Sequence, residues 1–197
     1  MADGGSRDET IDVARDRARL MTAPRGRASQ QNAGARASTG SVLWFLHADS
    51  LPPPDGIAQI QGAVEQGAPG GCFRIAFPQD ELQRHTLLAP VAAGINLRTR
   101  IFRTGTGDQG LFVRRDAFES LGAFPPWPLF EDVALAGALR RLGQPAVCQG
   151  PLLTSARRWL RNGVIRTMLR MWAMRIAFRL GVPPEELARH WHHAPPG

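Results

Sequence analysis

The sequence predicts an α/β domain in which a mixed, mostly parallel sheet carries helices on its faces. Three observations predict it. Val42-Leu43-Trp44-Phe45-Leu46 is an unbroken apolar run, the pattern of a central strand covered by helices on both sides. Residues 72–77 alternate in the manner of a second strand. Segments with helical spacing and glycine or proline stops lie between such runs, so strands and helices follow each other in turn. At 197 residues, 43% of them hydrophobic, the chain is long enough for one well-buried domain and short for two.

Each element has a local reason. Ser6-Arg7-Asp8-Glu9 has the form of a capping box and predicts a helix from there to about Leu20. A second helix is expected over residues 27–38, closed by Gly40. The strand at 42–46 stops at His47-Ala48-Asp49-Ser50, and Leu51-Pro52-Pro53-Pro54 enforces a turn. Helices are expected over 55–66 and 82–100, with the strand at 72–77 between them. The loop 104–109 leads to a short strand at 111–113 and a short helix near 117–121. After the rigid Pro125-Pro126-Trp127-Pro128 loop, Glu131 opens a helix that ends at Gly143, and 146–148 form a last short strand. A long helix is expected over 159–180. Arg166 and Arg170 share one side of it and Arg175 and Arg179 lie roughly opposite, so the helix bends or the later arginines snorkel from an apolar surface. Pro183-Pro184 stops it, and the His190-Trp191-His192-His193 tail reads as loose.

All 24 basic residues are arginine and the formal charge is +7. A planar guanidinium grips phosphate with two parallel hydrogen bonds, so this charge suits a phosphorylated ligand, an anionic membrane or nucleic acid. Nucleic acid is set aside, because its binders cluster arginines with interleaved aromatics and these arginines are spread along the chain. Cys72 and Cys148 match no metal spacing and read as buried thiols of a reducing compartment. No signal peptide opens the chain and no segment is apolar enough to span a bilayer, so a cytoplasmic protein is expected.

Ligands of α/β sheets collect at the carboxyl ends of strands, so the residues after each apolar run are the candidate contacts. Asp49 ends the first run. A divalent cation needs a hard oxygen fixed in such a place, and a turn needs the same residue for its own backbone. Asp3, in Asp-Gly-Gly-Ser, suits both a ribose contact and a turn. Glu131-Asp132 is a macrodipole-favoured pair at a helix start, and beside an apolar loop it is also a candidate general base. Gly105-Thr106-Gly107-Asp108-Gln109-Gly110 matches the dinucleotide fingerprint in letters but not in context; its Asp108 and Gln109 remain candidate ligand contacts. Arg158 beside Trp159 suits a phosphate next to a stacked ring, or a basic helix start with a core tryptophan.

The order of these motifs resembles the family 2 glycosyltransferases: Asp-Gly-Gly-Ser, Gly-Arg-Ala-x-Gln-x-Asn-x-Gly-Ala, Leu-x-Phe-Leu-His-Ala-Asp-Ser, Gly-Asp-Gln and Phe-Glu-Asp-Val-x-Leu, from Ala2 to about Leu187. Within that family it is similar to the bacterial radical-SAM/selenodomain-associated transferases linked to arsenosugar biosynthesis. The resemblance implies a GT-A fold, with residues 1–155 as core and 156–197 as a helical extension packed on the core or at a membrane surface. It implies a nucleotide-sugar donor, a UDP-sugar above all, a small-molecule or lipid acceptor, and Mg2+ or Mn2+. Asp3 matches the nucleoside-holding acid, Asp49 the last acid of the metal-binding D-x-D motif, and Asp132, with Glu131, the catalytic base pair. Arg158-Trp159 matches the diphosphate and acceptor contacts of Q-x-x-R-W, and Asp108 and Gln109 fall at the acceptor side. His47 replaces the first acid of D-x-D, so that it and Asp49 are the metal-ligand candidates. Ser155 replaces the glutamine, which points to a non-processive enzyme.

The family pattern opens with a strand and a Val-Ile-Pro-x-x-Asn-Glu segment before Asp-Gly-Gly-Ser, and neither is present here. A start upstream of Met1 is therefore expected. The activity expected is inverting sugar transfer to an acceptor hydroxyl, at the inner face of the cell membrane if the extension docks there. The alternative is an inactive remnant that binds a partner or a membrane.

Overall fold

A computed structural model describes residues 1–192 of the chain. Its elements are β1 (Ala2–Asp3), α1 (Thr10–Arg15), β2 (Met21–Thr22), α2 (Arg27–Ala37), β3 (Val42–Trp44), β4 (Ser50–Leu51), α3 (Gly56–Glu65), β5 (Gly70–Ala76), α4 (Gln79–Arg84) and α5 (Leu88–Phe102). They continue with β6 (Phe112–Arg114), α6 (Arg115–Ser120), α7 (Glu131–Leu142), β7 (Ala146–Thr154), α8 (Arg157–Asn162), α9 (Val164–Arg179) and α10 (Pro184–His192).

The main sheet has the order β3-β6-β5-β7-β4, and β1 and β2 form a separate parallel pair. β5 and β7 are parallel, whereas β6 runs against β3 and β5 and β4 runs against β7. Hence β3, β5 and β7 point one way, and the α/β sheet is mixed as its sequence predicts. β3 lies at the end of this sheet rather than at its centre, with β6 its partner among the described residues. It is nonetheless covered on both faces. Leu43 and Phe45 pack with α2, α6 and α7 through Ala28, Ala35, Phe118, Leu135 and Leu139. Val42 and Trp44 pack on the opposite face with Phe73, Phe112, Leu152 and Ile60 of α3. Phe73 and Phe112 are fully buried, so truncating either to alanine would cost ~3–5 kcal/mol. Gly70 and Gly71 allow β5 to sit this close to its neighbours. A Cβ on Gly70 would lie 2.5 Å from the Phe112 carbonyl oxygen, and one on Gly71 2.3 Å from that of Ala146.

Several expected elements change. α1 ends at Arg15 rather than Leu20, and the Ser6 hydroxyl donates to Asp3 Oδ1 at 2.6 Å instead of capping the helix. The hydroxyl is turned to that carboxylate, the helix starts only after Glu9, and the capping box does not form. The helix expected over 82–100 divides into α4 and α5, and that over 159–180 divides into α8 and α9 at Gly163, whose φ of 80° stops one helix before the next begins. The last strand runs nine residues, to Thr154, through a register shift that absorbs Gln149-Gly150. Residues 184–192 form α10 instead of a loose tail; Pro184 opens it, and Leu187 and Ala188 bury against Leu129 and Met174. His193 lies outside the described residues.

Cys72 and Cys148 are free and buried, and burial raises the Cys72 thiol to about 12 and the Cys148 thiol to about 11. Among the described residues, no helix is long and apolar enough to cross a membrane.

Candidate active site

The two-residue strand β4, hidden from pattern analysis, does much to build the site. It pairs Ser50 with Thr154 and Leu51 with Leu153, which ties the His47–Asp49 turn to the end of β7. The chain that leaves β7 then enters α8, whose start is fixed by Glu81 of α4. The Ala156 amide donates to Glu81 Oε2 at 2.5 Å and the Ser155 hydroxyl to Oε1 at 3.1 Å. Arg157, Arg158 and Trp159 are thereby placed at the cavity that Asp49 also lines.

Asp132 arrives from another direction. Phe130 takes a left-handed conformation, φ 65°, just before α7, a conformation that costs a bulky residue of order 1 kcal/mol or more. Stacking on Phe178 of α9, with ring centroids 4.8 Å apart, holds it there. Asp132 Oδ2 then accepts the Gly107 amide at 2.6 Å and Oδ1 accepts the Val133 amide at 2.7 Å. Gly107 is where the loops meet. A Cβ there would lie 2.8 Å from His47 Nε2 and 3.3 Å from Asp132 Oδ2.

These elements enclose an open cavity of about 750 Å³, the size of a nucleotide-sugar pocket. His47, Asp49, Asp108, Asp132, Arg158 and Trp159 all line it. Three other sequence candidates do not. Gln109 is fully buried, and its amide is structural rather than an acceptor contact. Its Oε1 accepts from Arg98 Nη2 at 3.0 Å and from the Thr106 amide at 3.1 Å, and its Nε2 donates to the Phe73 carbonyl at 3.1 Å. Glu131 is 1% exposed and pairs with Arg27 Nε at 3.0 Å, so the acid pair divides into one buried carboxylate and one at the cavity. Burial raises the Glu131 pKa, the neighbouring Asp132 adds to this, and Arg27 opposes it. Asp3 is buried outside the cavity lining, and hydrogen bonds from the Ser6 hydroxyl and from the Ser6 and Gly5 amides hold its carboxyl below the ordinary value.

The cavity also contains residues that pattern reading passed over: Arg25, Arg27, Arg175 and Trp191. Trp191 reaches it because α10 folds back on α9. Arg170 donates to the Trp191 carbonyl at 2.8 Å, and its guanidinium lies 4.9 Å from the Trp191 ring centroid. The Arg158 guanidinium lies 5.2 Å from that centroid. Arg27 and Arg175 lie far apart in the chain and give no joint sequence signal; the fold brings them to one cavity.

Among the described residues, no three His, Cys, Asp or Glu side chains are grouped to enclose a metal ion. His47 and Asp49 are two donors at the cavity wall. They fit an ion that arrives with a diphosphate supplying further oxygens, the usual arrangement for Mg2+.

Carboxylates from a strand end, a loop and a helix start, several arginines and a nucleotide-sized cleft define an α/β transferase-type site. The model of glycosyl transferase family 2 matches residues 1–122, and the chain belongs to that family. No curated protein matches it in sequence. Among solved structures it is similar to glucosyl-3-phosphoglycerate synthase from Mycobacterium tuberculosis in complex with Mn2+ and uridine-diphosphate-glucose. The TM-score is 0.57 at 20% identity, covering 92% of this chain and 67% of that one. A mannosyltransferase from Pyrobaculum calidifontis in complex with GDP-Man and Mn2+ is similar with a TM-score of 0.52 at 19% identity, covering 97% of this chain and 57% of that one. At such identities the likeness is one of fold, and that fold is the GT-A type expected from the sequence.

Proposed function

We propose that this glycosyltransferase moves a sugar from a UDP-sugar to an acceptor hydroxyl, with inversion and without processivity, and that Asp132 is its base. The observation that carries the assignment is the placement of Asp132: it lines the cavity with both oxygens fixed by amide donors, while Glu131 is withdrawn into an ion pair. Each Asp132 oxygen keeps a free lone pair. The acceptor O–H gives its proton to one of them as the acceptor oxygen forms a bond to the anomeric carbon, and the bond from that carbon to the diphosphate oxygen breaks. Arg158 offsets charge on the departing diphosphate. A Mg2+ or Mn2+ ion at Asp49 and His47 would supply Lewis-acid stabilisation of the same leaving group. Two structural neighbours hold Mn2+ together with UDP-Glc or GDP-Man, which supports a nucleotide-sugar and a divalent ion here. Asp3 is the candidate nucleoside contact. The resemblance to the arsenosugar-linked subgroup remains part of this reading, and an acceptor panel tests it.

Asp132→Asn is expected to lower transfer ~10²–10⁴-fold while UDP-glucose binding stays within about three-fold of the parent. An active variant overturns the base assignment, and a product with retained anomeric configuration by NMR overturns inversion. If the parent shows no saturable binding of a UDP-sugar, the inactive-remnant reading replaces this one.

A membrane-associated acceptor is favoured by one specific observation. α9 turns Ile165, Leu169, Trp172, Ile176 and Leu180 outward, each more than half exposed, while Val164, Thr167 and Met174 are buried on its other side. No acidic residue occurs between Asp132 and Glu185, so this apolar row is bordered by arginines alone. Apolar row and cationic flanks together suit the surface of an anionic bilayer, and face a second copy of themselves poorly because like charges would meet. Sedimentation with phosphatidylglycerol vesicles, lost in Leu169→Ser/Trp172→Ser, is the expected result. Equal binding by parent and variant, or by neutral vesicles, removes the membrane from the proposal.

A further inference from the structure

Arg175 has no role in the reaction as derived, and its surroundings ask for one. It projects from α9 into the cavity wall, yet it makes no hydrogen bond or ion pair among the described residues. It is half-buried, and desolvation, then the charge of Arg98, lowers its pKa to about 10. Arg98 cannot move aside, because its Nη2 is fastened to Gln109 Oε1 at 3.0 Å; its Nε is buried without a partner. Arg175 therefore lines the cavity with its own donors unused, and the charge of Arg98 behind the wall adds to the cost of its desolvation. Asp108 and Asp132 lie near enough to influence both, but neither closes an ion pair with either. Keeping a half-buried cation there without a direct partner costs stability, which an incoming anion would recover.

We infer that Arg175 is the anchor of an anion subsite for the acceptor, so that the acceptor carries a carboxylate or phosphate beside the hydroxyl it offers to Asp132. This rests on the proposed sugar transfer. The position favours the acceptor over the donor. Donor diphosphate is assigned to the Asp49 and Arg158 wall, whereas Arg175 feels the charges of Asp132 and Asp108, the groups beside which the acceptor must stand. A guanidinium fork binds either oxyacid with two hydrogen bonds. Anchoring the anion fixes the hydroxyl relative to the base, which is where binding energy becomes rate.

Calorimetry on the full chain tests it, with UDP and Mn2+ present and glycerate, glycerol 3-phosphate, inorganic phosphate and glycerol as probes. The parent is expected to bind the anionic probes and not glycerol; the ratio of glycerate to the two phosphates tells carboxylate from phosphate. Arg175→Gln is expected to weaken the anionic probes roughly 10–100-fold and leave UDP within about two-fold. The melting temperature of Arg175→Gln should equal or exceed that of the parent, since an unpaired, half-buried charge is removed; a clear fall shows a structural role and overturns the subsite. Probe binding unchanged by the substitution also overturns it, as does equal weakening of UDP, which would make Arg175 a donor contact. A parent that binds UDP but none of the anions refutes the subsite and leaves sugar transfer standing. A parent that binds no UDP removes both.

Discussion

Gly107→Ala isolates the geometry of the site from its chemistry. The substitution adds one methyl group, whose carbon would stand 2.8 Å from His47 Nε2, 3.1 Å from His47 Cε1 and 3.3 Å from Asp132 Oδ2. Ordinary carbon contacts begin near 3.4 Å, so His47 must move by about half an ångström and Asp132 by less. The φ of Gly107 lies outside the left-handed region, so alanine meets no backbone strain there. The fold should therefore survive, with a stability change of about 1 kcal/mol or less. Catalysis should not. The methyl presses on the imidazole proposed to hold the metal-diphosphate and on the carboxylate proposed as base, whose Oδ2 depends on the Gly107 amide at 2.6 Å. Misplacements approaching 1 Å cost up to ~10²-fold in rate, so a ten- to hundred-fold loss of kcat is expected. UDP release measured alongside a thermal melt reads both quantities. The combination with His47→Ala sharpens the result, because removing the imidazole vacates the space. The double variant should then lose less than the product of the single losses. Transfer within two-fold of the parent, or a loss matched by unfolding, refutes the claim that Gly107 is the point where base and metal ligand meet.

Gln109→Leu should act first on stability. It orphans the Phe73 carbonyl and the Arg98 guanidinium in a buried setting, at a cost of ~2–4 kcal/mol read by urea denaturation. A loss of transfer with stability unchanged would return Gln109 to the site. Glu131→Gln addresses pH. With the Glu131 pKa raised above 4.5 on folding, the native state holds the extra proton, so this group's contribution is greatest below 4.5 and is lost as pH rises through the raised value. The glutamine variant should flatten that decline in a plot of stability against pH. A decline of the same slope in parent and variant assigns it elsewhere.

The sequence carried the alternation that makes the α/β layers, and the strand-end position of Asp49 and the helix-start position of Asp132, because those depend on local spacing. It could not place β3 at the end of the main sheet, since a strand buried on both faces by helices looks the same at the centre and at the end. β4 was invisible for a different reason: two residues beside a proline run hold no periodicity, and their pairing with Leu153 and Thr154 is a long-range fact. The acid pair Glu131-Asp132 shows the limit most clearly. Adjacent residues at a helix start point about 100° apart, so one can enter the core while the other meets the cavity, and only the presence of Arg27 decides which. α9 misled in the opposite sense. Its arginines on two sides argued for a bend or for snorkelling from an apolar surface, whereas the helix is apolar both inward and outward and the arginines occupy the borders.

The order of the main sheet has a temporal meaning as well. Each of its four strand pairings includes either β6 or β7. On a ribosome, β3, β4 and β5 would thus emerge and wait, their apolar runs without a hydrogen-bonding neighbour, until residues 112–154 had been synthesised. Closure of these long-separated contacts is slow, and the waiting segments are prone to aggregate. Expression of this chain should accordingly be governed by how long the nascent strands are shielded, through slower translation or a chaperone, more than by the stability of the finished domain.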